Sequence, residues 1–150
     1  MPKSYVVFAC LLIFPLILKA QSPEVVFTSE DRLIFNNLME IMAAGPEVST
    51  GKAMIASGEA FLGTPYVEKT LEVGGEERLV VNLRGLDCTT FVENALAITR
   101  ILQSGEKDWN SYLSQLAHIR YRKGELQGYP SRLHYFTDWI RDNSEKGIIK

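Results

Sequence analysis

Histidine and cysteine are scarce in this sequence of 150 residues, which contains two of each. Any chemistry that needs an imidazole can therefore use only His118 or His134. Two cysteines allow at most one disulfide, and the cysteine and histidine spacings of zinc sites are absent. A glycine-rich phosphate loop is also missing. We therefore expect no metal site and no cofactor.

An excess of basic charge is missing as well. The chain has 16 Lys and Arg against 18 Asp and Glu, a net charge of −2. Nucleic-acid-binding domains usually carry a basic face, so we do not expect nucleic acid as a partner. The hydrophobic fraction of 46% and the charged fraction of 23% are typical of a globular chain of one domain.

The long apolar run of the sequence lies near its beginning, from Tyr5 to Leu18. It is shorter than the roughly 20 residues of a membrane-spanning helix, and it lies between Lys3 and the small residue Ala20, as in a secretory signal peptide. We predict a signal peptide over residues 1–20.

The predicted mature domain covers residues 21–150 and is exported to the periplasm or the extracellular space, with no transmembrane segment. A lipoprotein anchored through Cys10 is not expected, because the apolar run continues past that cysteine. Cleavage after Ala20 would remove Cys10 and leave Cys88 as the remaining thiol. An unpaired cysteine in an exported protein is a candidate for a reactive group, although a buried inert cysteine is the alternative.

The mature sequence predicts an α+β fold, with helices around one β-hairpin. Gly74-Gly75 separates two β-rich segments, 66–73 and 79–83, and so predicts the hairpin. The end of the chain, Ile148-Ile149-Lys150, is typical of the beginning of another strand. Capping residues, apolar periodicity and helix-breaking residues predict five helices: from Thr28 (with Asp31 in a capping box) to Gly45-Pro46, over 49–62, over 88–104, over 108–119, and from Ser131 to about Lys146-Gly147.

The predicted third helix carries the candidate for catalysis. Asp87 is a preferred N-cap residue and would place Cys88 at the first helical position. The unpaired amides and the positive end of a helix favour a thiolate, which is the nucleophilic form of cysteine, and can also stabilise an oxyanion. Asp87 opposes ionisation of the thiol unless its charge is engaged in capping. A nucleophile and an inert cysteine both remain open at this point.

The chain contains the segments Gly63-Thr64-Pro65-Tyr66 and Asp87-Cys88-Thr89-Thr90-Phe91-Val92. Together they resemble motifs of the NlpC-type papain-fold cysteine peptidases of bacterial cell walls. In that family a Gly-x-Pro-Tyr segment precedes Asp-Cys-Ser-Gly-Phe-Val, and the cysteine opens a long helix. Thr89-Thr90 departs from Ser-Gly, and this variant is similar to one branch, a bacterial domain-of-unknown-function family regarded as N-acetylmuramoyl-L-alanine amidase-like. The resemblance rests on residues 61–66, 86–92, 94–97, 119–124 and 131–140.

The resemblance implies a papain-like cysteine hydrolase whose partner is a peptidoglycan stem peptide or muropeptide. Cys88 would be the nucleophile, and Tyr66, Asp87 and Thr89 would line the substrate cleft. Tyr66 as a packing aromatic and Asp87 as a plain helix cap are the alternatives. The cut bond would join muramic acid to L-alanine in an amidase, or lie within the stem in an endopeptidase.

The resemblance also implies a histidine base on a strand after the helices, but no segment between Gly105 and Lys150 matches that strand. We therefore expect a C-terminal truncation, with most of the catalytic sheet beyond Lys150 and this chain alone inactive. His134 is a second candidate base, since Asp138 would lie four residues away on a helix. Arg132 is a candidate for binding substrate. A non-catalytic murein-binding module is the competing hypothesis.

Overall fold

Five helices and two short strands form the part of the chain that the computed structural model describes, residues 24–43 and 49–150. The predicted signal peptide, Cys10 and the predicted helix end at Gly45-Pro46 lie outside these residues. Two short 3₁₀ turns, Arg122–Gly124 and Tyr129–Ser131, follow the fourth helix. The elements in chain order are β1 Val25–Val26, α1 Ser29–Ala43, α2 Thr50–Glu59, β2 Leu79–Val80, α3 Cys88–Ser104, α4 Trp109–Arg120 and α5 Phe136–Glu145.

The starts of α1 and α4 confirm two of the predicted caps. At α1, the Thr28 amide donates to Asp31 Oδ2 over 2.8 Å and Thr28 Oγ1 accepts from the Asp31 amide over 3.3 Å. At α4, Asp108 Oδ1 accepts from the amides of Asn110 and Ser111. Each cap satisfies amides that a helix leaves unpaired at its beginning.

Helix α3 lies at the centre of the core, between α2 and α4. Its residues Ala97, Ile98 and Ile101 are fully buried. Helix α2 runs antiparallel to it, with Ser57 hydrogen-bonded to Thr99 and the Phe61 ring 6.2 Å from the Phe91 ring. The end of α2 therefore lies beside the beginning of α3, where Cys88 is.

The predicted hairpin is wrong, because β2 pairs in parallel with β1, with Val25 opposite Leu79. Leu79, Val80 and Val81 are all buried, so the backbone N–H and C=O groups of this strand need hydrogen-bond partners within the core. Residues 69–72 instead form a turn, in which Lys69 has a φ of 59° and its carbonyl accepts from the Glu72 amide.

The end of the chain also differs from the prediction. Ser131 does not begin a helix; its hydroxyl accepts from the Gln127 amide and donates to the Gly128 carbonyl, which holds a turn. Helix α5 begins later, at Phe136, so His134 precedes it. No strand is formed by residues 148–150, where the Ile148 amide donates to the Asn143 carbonyl.

The described residues thus form an α+β fold that is mostly helical. None of their helices combines the length and the apolar character that crossing a bilayer requires.

Candidate active site

Cys88 is exposed at the first residue of α3. The preceding residue, Asp87, accepts from the Thr90 amide over 2.7 Å and from the Thr90 hydroxyl over 2.8 Å, and Thr90 Oγ1 accepts from the Asp87 amide over 2.9 Å. This reciprocal capping box engages the Asp87 carboxylate. Its negative charge is therefore partly neutralised by donors at the helix start, where it would otherwise oppose a thiolate on Cys88.

The chain that leads into α3 is held against residues 65–67. The Leu86 amide donates to the Pro65 carbonyl, and the Val67 amide donates to the Leu86 carbonyl, each over 3.1 Å. A Cβ atom at Gly85 would lie 2.6 Å from Val67 Cγ2, so this approach requires glycine. The contact brings Tyr66 beside Asp87 and Cys88.

Tyr66 is an exposed side chain, with 67% of its surface accessible. Its pKa is raised above 10.0, first by desolvation and then by the negative charges of Glu68, Cys88 and Asp87. The phenol therefore keeps its proton at neutral pH and remains a hydrogen-bond donor at this site.

The face of α3 that carries Cys88 continues along the helix through Phe91 and Ala95, at positions three and seven residues later. These two residues border an open apolar groove of about 390 Å³ between α2 and α3. Thr89 is half-buried in the first turn of α3. Cys88 does not line this groove itself but lies about one turn before Phe91, which does.

Arg132 belongs to a second group of residues and is 6% exposed. Its guanidinium contacts Glu72 at 2.6 Å and Glu77 at 3.5 Å, and it lies 5.0 Å from the centre of the Tyr129 ring. Two carboxylates of the protein thus balance its charge. A substrate carboxylate would have to displace Glu72, the more exposed of the two.

His134 lies in the same group, with its ring 4.2 Å from that of Tyr129 and Nε2 3.0 Å from the Tyr129 carbonyl oxygen. The predicted pairing with Asp138 is wrong, because that carboxylate binds Arg141 at 2.6 Å and Arg122 at 3.7 Å. Within residues 24–43 and 49–150, no hydrogen bond joins His134 to Cys88. The structure therefore gathers Tyr66, Asp87, Cys88 and Thr89 at one end of α3 and places Arg132 and His134 around Tyr129.

Two buried charged residues near the site were not recognised in the sequence as tertiary contacts. Asp31, predicted only as part of a capping box, is fully buried and also binds the segment before Cys88. Glu93 interrupts the buried face of α3 and pairs with Arg120 at 2.8 Å, with both side chains 2% exposed. A lone acid within an apolar stripe is the signal that points to such a pair. Where the structure describes the chain, no three His, Cys, Asp or Glu residues are grouped to hold a metal ion.

Comparison with protein families gives a match over residues 56–150 to a model described as N-acetylmuramoyl-L-alanine amidase-like. This segment contains Tyr66, Asp87, Cys88 and Thr89. No curated protein matches the chain.

Several solved structures are similar to this chain, including the following three. A structure of an N-acetylmuramoyl-L-alanine amidase from Bacteroides uniformis is 43% identical, with a TM-score of 0.62 over 65% of this chain and 41% of that one. A structure described as a putative xylanase from Bacteroides fragilis is also 43% identical, with a TM-score of 0.60 over 63% and 41%. A Legionella pneumophila protein of a domain-of-unknown-function family shares the fold at 20% identity, with a TM-score of 0.63 over 78% and 39%. The chain thus spans about two fifths of each of these proteins.

Proposed function

Since the chain belongs to the N-acetylmuramoyl-L-alanine amidase-like family, we propose that the full-length protein is an exported cysteine hydrolase of peptidoglycan stem peptides with a papain-like NlpC-type fold. The observation that carries this proposal is the exposed thiol of Cys88 at the capped start of α3, beside the phenol of Tyr66. A thiol, a helix start and a neutral hydrogen-bond donor are three of the components that amide hydrolysis by a cysteine uses, and a general base is the fourth.

In the proposed reaction, the Cys88 thiolate attacks the carbonyl carbon of the amide. The negative charge that develops on the carbonyl oxygen is stabilised by amides at the start of α3, and Tyr66 donates a further hydrogen bond to the substrate. The carbon–nitrogen bond then breaks, the amine leaves with a proton, and water hydrolyses the thioester to regenerate the thiol.

We propose that a histidine takes the thiol proton. It would lie in the part of the full-length protein that corresponds to the portion of the relatives not spanned by this chain. His134 supports this role less well, because its Nε2 lies against the Tyr129 carbonyl and Asp138 is paired with two arginines. His118 is half-buried, and burial, followed by the positive charges of Lys146 and Arg100, lowers the pKa of its imidazole.

The comparison with a putative xylanase raises glycoside hydrolysis as a second possibility. That chemistry normally uses two carboxyl groups on opposite sides of the bond. Beside Cys88, the Asp87 carboxylate is occupied by the cap of α3, which favours the thiol as the reacting group.

Hydrolysis of purified muropeptides by the full-length protein, followed by mass spectrometry, tests the proposal. An amidase releases the intact stem peptide with a free L-alanine amino group, whereas an endopeptidase releases a shorter peptide. Cys88→Ala should abolish either product. Gln103→Ala, at the far end of the same helix, should leave the rate unchanged. Cleavage that survives Cys88→Ala would contradict the proposal, and binding without cleavage would support a murein-binding module instead.

A further inference from the structure

The segment between β2 and α3 is attached to helix α1 by one buried carboxylate. We propose that Asp31 is a positioning residue that fixes the location of the Cys88 sulfur through residues 83–87. This inference rests on the proposed role of Cys88 as nucleophile. It concerns a residue outside the segment that matches the family model, residues 56–150.

The Asp31 carboxylate accepts four hydrogen bonds, two from Thr28 at the start of its own helix and two from the distant residues Leu83 and Arg84. Oδ1 accepts from the Leu83 amide over 2.8 Å and from Arg84 Nε over 3.1 Å. Oδ2 accepts from the amide and the hydroxyl of Thr28, over 2.8 and 2.7 Å. One fully buried carboxylate thus caps α1 and at the same time binds the chain that leads to the cysteine.

Beyond Leu83, the backbone is held at almost every amide before it reaches Cys88. The Arg84 amide donates to the Asn82 side chain, and the Leu86 amide to the Pro65 carbonyl. The Asp87 amide donates to Thr90 Oγ1. A displacement at Leu83 would therefore be passed along a segment with little freedom to absorb it.

Removal of the Asp31 carboxylate would leave a buried donor of this segment without its acceptor. Without the carboxylate, the buried Leu83 amide loses its acceptor and Arg84 loses its partner, and unpaired buried donors are costly. The segment is then expected to move towards water or another acceptor. In enzymes, a shift of about 1 Å in a reacting group can lower the rate by roughly 100-fold.

The test compares Asp31→Ala with Thr28→Val in the full-length protein. Thr28→Val removes the hydroxyl that bonds to the same carboxylate but leaves its bonds to Leu83 and Arg84. For each variant we would measure the melting temperature, kcat and KM on a muropeptide, and the rate at which iodoacetamide labels Cys88 without substrate. Peptide mapping would assign the label to Cys88.

Both variants should lower the melting temperature. Asp31→Ala should reduce kcat by roughly tenfold to 100-fold with KM nearly unchanged, and should alter the labelling rate of Cys88. Thr28→Val should retain the wild-type labelling rate and kcat. If Asp31→Ala does not fold, Asp31→Asn replaces it in the test, because it keeps an acceptor for the Leu83 amide. It should lower kcat and alter the labelling rate of Cys88 in the same way, but by a smaller factor.

The proposal is overturned if the Asp31 variants keep the wild-type kcat and labelling rate, or if Thr28→Val changes both as strongly as they do. If the wild-type protein cleaves no muropeptide, the proposed function fails. The labelling rates then decide by themselves whether Asp31 positions Cys88.

Discussion

At the scale of single residues, Gly85 is where backbone packing leaves no room for a side chain. Gly85→Ala would place a Cβ atom 2.6 Å from Val67 Cγ2, and we expect it to lower the free energy of unfolding by about 1–3 kcal/mol. Gly51→Ala is the matched control, since no atom lies within 4 Å of its added Cβ in α2. It should be neutral or stabilising by up to ~1 kcal/mol. Urea unfolding of both variants measures this, and equal effects would refute the packing argument.

The buried pair of Glu93 and Arg120 gives a second prediction. Glu93→Gln leaves an uncompensated guanidinium in the core and should cost about 3–5 kcal/mol of unfolding free energy. Asp138→Asn weakens ion pairs with two arginines near the surface and should cost less than about 1 kcal/mol. Chemical denaturation compares the two, and a Glu93→Gln variant as stable as Asp138→Asn would contradict the prediction.

Single-residue roles could be predicted from sequence where the partner is local. The caps at Thr28, Asp87 and Asp108 were predictable because each partner lies within three residues. The bond from the Leu83 amide to Asp31 was not, because the two residues are separated by 52 positions. For the same reason the sequence does not reveal that Glu72 and Glu77, which are distant in the chain, balance the charge of Arg132.

At the scale of elements, the caps of α3 and α4 are alike in chemistry but differ in location. Asp87→Ala and Asp108→Ala should each cost about 1 kcal/mol, because each removes acceptors for amides at a helix start. Activity on muropeptides should fall only for Asp87→Ala, since its cap adjoins Cys88. Melting temperatures and rates for both variants check this. A comparable loss of activity in Asp108→Ala would show that stability, and not the position of the cap, controls the rate.

The link between α1 and the segment before α3 should depend on pH. Although burial acts to raise the pKa of Asp31, hydrogen bonds from Leu83, Thr28 and Arg84 lower it below 3.8. A lowered pKa contributes stability in full above the unfolded value and loses it as the pH falls through the folded value. The stability difference between the wild type and Asp31→Asn should therefore be constant from about pH 7 to 5 and shrink below the unfolded value. Urea unfolding at several pH values measures it, and a difference that stays constant at pH 3 would contradict this account.

The helices could be predicted from sequence because apolar periodicity and caps are local signals, and the limits of α3 agree with the prediction residue for residue. The hairpin could not, since the partner of Leu79 is Val25, far away in the chain. The late start of α5 was also missed. Ser131 has the residue type of a cap, but its hydroxyl is used within the turn of residues 127–131.

At the scale of the whole molecule, α3 extends from the core to the exposed Cys88. Its buried side packs between α2 and α4, and its first residue carries the exposed thiol. The position of Cys88 at the start of α3 could be predicted, because its N-cap residue Asp87 is a local signal. A general base could not be assigned in the same way, because a catalytic histidine is brought to the thiol by tertiary structure and this chain spans about two fifths of its solved relatives.

The most direct test of the proposed function is to trap the acyl-enzyme. The full-length protein would be mixed with a purified muropeptide, quenched in acid within the first turnovers and analysed by intact mass and peptide mapping. A thioester on Cys88 is predicted, and its mass identifies the acyl group: the muramoyl part for an amidase, or a stem-peptide fragment for an endopeptidase. Hydrolysis that proceeds with no adduct on Cys88 and continues at the same rate in Cys88→Ala would contradict the account.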